Sequence, residues 1–203
     1  MTPFVGEIIG TMLLILLGNG VVANMSLKDT YGNDGGWVVI TLAWGMAVFV
    51  GVFVVGDISG AHLNPAVTLG LAMIGSFEWS SVPSYMLAQM IGAALGTTLV
   101  WVMYKPHYDR ETDPGAIKGT FCNEPAISNT FSNVMSEALG TFVLVYGVFH
   151  IAGASVGGQE ASLGALDALP VALVVVAVGM SLGGTTGYAI NPCLLYTSPS
   201  PRD

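Results

Sequence analysis

Along the chain, long apolar runs alternate with polar breaks. The runs extend from about Phe4 to Ala23, Trp37 to Val55, Val82 to Tyr104, Val134 to Ala152 and Leu169 to Leu182. A bilayer crossing takes about 20 predominantly apolar residues, so each run is read as a membrane-spanning helix. Asn24 to Gly36 forms a polar, glycine-containing turn, Lys105 to Asn133 is the longest polar connection, and Gly153 to Ala168 is a loop of small residues. The break after the second run is different in kind. Ser59-Gly60-Ala61-His62-Leu63-Asn64-Pro65-Ala66-Val67-Thr68 places a histidine, an asparagine and a proline between two apolar stretches. Pro65 lacks an N–H and has a fixed φ, which suits the first position of a helix capped by Asn64. The apolar stretch from Ala66 to Ile74 is about half the length of a crossing. It predicts a re-entrant half-helix, and non-helical backbone at that depth persists only where it is buried in protein or lines a cavity. The stretch is therefore expected to line a path.

The pattern occurs twice. Thr186-Gly187-Tyr188-Ala189-Ile190-Asn191-Pro192 repeats the Gly-x-x-x-Asn-Pro of Gly60 to Pro65. Earlier in each half, Glu7-Ile8-Ile9-Gly10-Thr11 with Leu14 matches Glu137-Ala138-Leu139-Gly140-Thr141 with Leu144. Two motifs recurring in one order indicate an internal duplication. Gly6 with Gly10, and Gly92 with Gly96, stand at the spacing that lets membrane helices approach closely.

Gly-Ala-His-Leu-Asn-Pro-Ala-Val-Thr, with its echo at Asn191-Pro192, resembles the Asn-Pro-Ala boxes of the aquaporin family of water and glycerol channels. The resemblance runs from Phe4 to about Pro192. It implies an all-α membrane protein, an inverted-repeat bundle with repeat one at about 4–104 and repeat two at about 134–192. It implies pore asparagine boxes at Asn64, Pro65, Ala66, Asn191 and Pro192. Backbone at Gly60, Ala61, His62, Leu63, Gly187, Ala189 and Ile190 would line the pore. A tryptophan inside a span is more often core or lipid-facing than pore-lining. Here the resemblance assigns Trp44 to the narrowest ring, with Gly179 and Tyr188. Trp44 and Tyr188 would then form an apolar corner, with Gly179 leaving space, as in the glycerol-conducting branch. The long connection from Lys105 points to the same branch. The resemblance further implies passive diffusion of glycerol, other small neutral solutes and water, no cofactor, a homotetramer in a cell membrane, and a multi-pass protein.

Composition agrees with the class and removes others. Apolar residues make up 53% of the chain and charged ones 9%, too little charge for the surface of a soluble domain of this size. The net charge is −8 and the only bases are Lys28, Lys105, Arg110, Lys118 and Arg202, so no basic patch exists for a nucleic acid. Cys122 and Cys193 are too few for a disulfide framework or a metal cluster. Phe4 to Ala23 is too long for a signal-peptide core and has no basic region before it. Asn24-Met25-Ser26 matches a glycosylation acceptor but abuts the membrane. The basic residues would put the Lys28 and Lys105–Lys118 loops inside by charge bias, whereas the resemblance puts both outside, and the resemblance is followed.

Glu7 and Glu137 are ionisable residues at membrane depth, where such residues are costly and need partners. They are expected to support the two re-entrant loops by accepting backbone N–H bonds, with proton carriage as the alternative. His62 has no Ser, Cys or carboxylate in a triad relation, so a pore-lining backbone position is expected and an enzyme is not. His150 has no second metal-type residue spaced to help it. An inverted-repeat secondary transporter is the main rival, since broken helices are its hallmark too. A scaffolding membrane protein without permeability is a third reading.

After Pro192 the sequence departs from the family pattern. Cys193 to Asp203, with Ser-Pro-Ser-Pro at its centre, is expected to be a foreign tail that neither extends a helix nor crosses a membrane. On that expectation the channel domain is 1–192, the second half-helix and a sixth span are missing, and a non-conducting fragment is the further alternative. Leu194 stands where the family places an arginine, three residues after the second asparagine.

Overall fold

The computed structural model describes residues 1–156 and 158–196. Its long helices are α1 (Pro3–Ser26), α2 (Trp37–Ser59), α4 (Val82–Tyr108), α6 (Thr130–Phe149) and α7 (Leu169–Leu182). The last, with the 3-10 turn Gly164–Ala168 ahead of it, completes five segments long and apolar enough to cross a membrane. Two shorter helices, α3 (Pro65–Met73) and α8 (Pro192–Tyr196), each begin at an Asn-Pro, and α5 (Pro114–Gly119) lies in a connection.

Central to the bundle is α1, packed against α2 and α4. A side chain at Gly96 would put its first carbon 2.6 Å from the Met12 carbonyl oxygen, and Gly92 faces the Ile8 carbonyl just as closely. The predicted small-residue spacing thus brings α1 and α4 backbone to backbone. In a bilayer this packing, and not the exclusion of apolar surface from water, holds helices together. The remaining faces carry Leu87, Ile91, Leu95 and Leu99 on α4, and Val134 and Phe142 on α6, all exposed. They form the apolar exterior that a membrane solvates.

Several boundaries differ from the sequence pattern. α4 runs on to Tyr108 through Pro106 and is closed by Asp109, whose N–H bonds the Lys105 carbonyl. α6 starts at Thr130, because the Asn129 side chain caps the Ser132 N–H, and stops at Phe149. The polar connection between α4 and α6 contains helix α5, capped by Asp113 through Gly115 N–H. The loop of small residues holds an antiparallel hairpin, β1 (Ala154–Val156) with β2 (Gln159–Ala161). The fold is the expected all-α bundle, and this short two-stranded sheet is its one departure among the described residues; the two segments satisfy their backbone by pairing with each other. The second half-helix, expected to be missing, is represented by the five residues of α8. Most of the tail expected to be foreign, 197–203, lies outside the described residues.

Candidate functional site: a cavity between two re-entrant loops

Each re-entrant loop reverses the chain with the same backbone device. Gly60 and Gly187, four before each asparagine, have φ of 80° and 78°. Ala61 and Leu63 have φ of 49° and 52°, and their counterparts Tyr188 and Ile190 have 42° and 36°. A non-glycine residue in this region costs roughly 1–2 kcal/mol, so the loops store strain that something must offset. Alternating left-handed residues make a nest, in which successive N–H groups point to one side. A carboxylate fills each nest. Glu7, fully buried, accepts from His62 N–H at 3.0 Å and Leu63 N–H at 2.8 Å. Glu137 accepts from Ala189 N–H at 3.1 Å and Ile190 N–H at 3.0 Å. With the N–H groups turned to the carboxylates, the carbonyls are free to face the other side.

On that side the loops meet. Asn64 accepts from Ala66 N–H at 2.8 Å through Oδ1, which caps α3, and its amide nitrogen donates to the Ile190 carbonyl at 2.8 Å. Asn191 accepts from Cys193 N–H at 3.1 Å and donates to the Leu63 carbonyl at 3.0 Å. The crossing is reciprocal: each amide caps its own half-helix and ties down the opposite loop. An amide nitrogen carries two hydrogens, and one on each remains for a solute.

Past these amides runs a cavity of about 300 Å³. Ile151 and Asp167, from the connection after α6, and Asn123, from the connection before it, contribute to its lining. Trp44, Gly60, Ala61, His62, Leu63, Asn64, Gly187, Tyr188, Ala189, Ile190 and Asn191 all line it, as does Leu194. Pro65 and Pro192 start the half-helices behind the asparagines, and Ala66 supplies the capped N–H.

Gly179 is placed differently from the expectation. It does not line the cavity. A side chain there would meet Tyr188 Cζ at 2.7 Å and its Oη at 2.9 Å, so the room left by the glycine is filled by the tyrosine ring. Sequence reasoning also missed the polar residues around Glu7. Gln89 donates to Glu7 at 2.8 Å and to Thr68 Oγ1 at 3.0 Å, Ser59 Oγ donates to Glu7 at 2.7 Å, and His62 Nδ1 pairs with Thr68 Oγ1 at 3.1 Å. A glutamine in the middle of an apolar span was a readable signal. Asn123, which donates to the Gly187 carbonyl, carried none, since nothing in a polar connection marks which residue folds back.

A duplicated nest and two asparagines crossing beside a shared cavity have counterparts in known proteins. The family model for major intrinsic protein matches residues 1–198. This chain belongs to the major intrinsic protein family. Among its relatives, the glycerol uptake facilitator protein of Streptococcus pneumoniae is 52% identical over 192 residues, covering 95% of this chain and 80% of that protein. The glycerol uptake facilitator protein of Bacillus subtilis is 50% identical over 192 residues, with 95% and 68% covered. The crystal structure of the aquaglyceroporin from Plasmodium falciparum superposes with a TM-score of 0.84 at 32% identity, over 96% of this chain and 78% of that one. As a major intrinsic protein the chain is a multi-pass membrane protein and a passive channel.

Proposed function

We propose that this major intrinsic protein conducts glycerol and other small neutral solutes, together with water, through the cavity that passes Asn64 and Asn191. The observation that carries the reading is the reciprocal pair of amide bonds across the cavity, which leaves one donor from each asparagine beside a row of loop carbonyls. A polyol presents alternating hydroxyls along a carbon chain, each able to donate and accept. The apolar wall of Val48, Val52, Val67 and Leu71 suits the carbon side, and the carbonyls of the two loops suit the hydroxyls.

No bond is made or broken on this path, so the protein acts without catalysis. α3 turns its N-terminus to the centre, equivalent to roughly half a positive charge for a full-length helix, which opposes passing cations. Glu7 and Glu137 support the loops from behind and carry no proton through. Tyr188 and Trp44 narrow the path, with Gly179 behind Tyr188 giving it room. The apolar exterior of α4 and α6 meets lipid and other copies of the chain in a homotetramer in the cell membrane. The Lys28 loop and the connection after α4 lie outside.

The test is glycerol flux into liposomes containing the purified protein. Flux is expected to rise linearly with the glycerol gradient and to ignore imposed sodium or proton gradients. Saturating, ion-coupled flux would favour the transporter reading, and no flux the scaffold or fragment reading.

A further inference from the structure

We infer that Trp37 is a positioning residue that sets the width of the passage by clamping Tyr188 into a groove of α7. This rests on the reading of Tyr188 as part of the constriction. Tyr188 sits on strained backbone, and its side chain lies along α7 over two glycines one turn apart. The missing side chain of Gly179 leaves room for Cζ, Cε2 and Oη, and that of Gly183 leaves room for Cδ1. A groove of two glycines is smooth, so it fixes the depth of the ring but does not stop it from swinging out sideways. Trp37 supplies the stop. Its ring stands edge-on to Tyr188, with centroids 5.7 Å apart and planes at 82°. Its indole N–H donates to the Gly179 carbonyl at 3.1 Å, and its Cζ2 sits 2.9 Å from where a Gly183 side chain would begin. The tryptophan is thus bonded to the same helix whose groove holds the tyrosine.

The Tyr188 hydroxyl is buried without a hydrogen-bond partner. The hydroxyl does not hold the ring in place; the glycine groove and the edge contact with Trp37 behind the ring do. Trp37 does not line the cavity, so its influence on a solute passes through Tyr188.

The consequence is a size filter adjustable in both directions. Trp37→Ala removes the stop, and Tyr188 gains room away from the cavity. Gly183→Ala places a methyl 2.4 Å from Tyr188 Cδ1 and 2.9 Å from Trp37 Cζ2, filling the groove and pushing the tyrosine ring toward the cavity. The experiment compares glycerol with xylitol flux in liposomes, each normalised to folded protein, for the parent, Tyr188→Ala, Trp37→Ala, Trp37→Phe and Gly183→Ala. The glycerol-to-xylitol ratio is expected to fall about threefold or more in Trp37→Ala, the weight of one lost aromatic edge contact and hydrogen bond. It should rise in Gly183→Ala and stay near the parent value in Trp37→Phe, which keeps the edge. An unchanged ratio in Tyr188→Ala would overturn the constriction itself. A changed ratio in Tyr188→Ala with an unchanged one in Trp37→Ala, or equal losses of both solutes there, would overturn the role of Trp37 alone. If Trp37→Ala does not fold, the direction of change in Gly183→Ala decides: a fall or no change overturns the clamp.

Discussion

Glu7 and Glu137 occupy matching places in the two repeats but carry different loads. Glu7 accepts two backbone N–H groups, the Ser59 hydroxyl and the Gln89 amide, whereas Glu137 accepts the two backbone N–H groups of Ala189 and Ile190. Each buried donor left unpaired costs about 1–3 kcal/mol, so Glu7→Ala should destabilise the protein by several kcal/mol and more than Glu137→Ala. Thermal unfolding in detergent measures both, and equal losses would show that the extra donors at Glu7 find other partners. At Gly179 any side chain collides with Tyr188 and drives the ring toward the path. Gly179→His is expected to cut glycerol flux in a liposome swelling assay much more than water flux. Equal reduction of both would mean that the tyrosine relaxes elsewhere.

Between elements, backbone proximity and one carboxylate do most of the fastening. Gly96→Ala places a methyl carbon 2.6 Å from the Met12 carbonyl and should separate α1 from α4, lowering the yield of folded protein. Gly20→Ala meets nothing within 4 Å and should be neutral or stabilising by about 0.5–1 kcal/mol, since glycine weakens a helix interior. Outside the membrane, Glu111 ties the turn after α1 to the connection after α4. It accepts from the N–H groups of Thr112 at 2.8 Å and Asp113 at 2.9 Å and of Lys28 at 3.1 Å, and its carboxylate pairs with the Lys28 ammonium at 3.0 Å. The Asp113 N–H first, then Lys28, hold its carboxyl down at about 2. Because the folded value lies below the unfolded one, the attachment is complete above about pH 4.5. It is lost as the pH falls toward 2. Amide exchange at Lys28 and Asp113 should rise through that acid range, and Glu111→Gln should show the fast exchange already at neutral pH. Exchange insensitive to the substitution would mean that Arg110 with Asp29 suffices as the link.

As a whole the molecule is a neutral-solute path whose two loop-supporting glutamates are turned away from its centre. Glu7 and Glu137 face loop N–H groups, and the centre of the cavity presents asparagine amides and carbonyls beside the N-terminus of α3. The reconstituted protein is therefore expected to carry no sodium or potassium current across a planar bilayer while glycerol passes. A cation current with the asparagines intact would show that the central barrier is too weak to exclude charge.

The apolar runs, the paired Asn-Pro boxes and the paired glutamates were legible in the chain because each rests on local chemistry. A bilayer demands length and apolarity, a half-helix needs a cap, and a buried carboxylate needs donors. From these follow the helices of the bundle and the two loops, whereas their meeting place came from the family resemblance. The hairpin Ala154–Val156 with Gln159–Ala161 was not legible, because a short polar segment has no periodicity to separate strand from loop. Nor was Trp37, which reads as one more aromatic at the start of a helix until folding brings it 142 positions along the chain to the Gly179 carbonyl. Gly179 read as open space, and only the tertiary structure put a tyrosine ring into it. What a residue is fixes which groups it must satisfy, but which neighbour satisfies them depends on contacts between distant segments, and those exist only once the helices have packed.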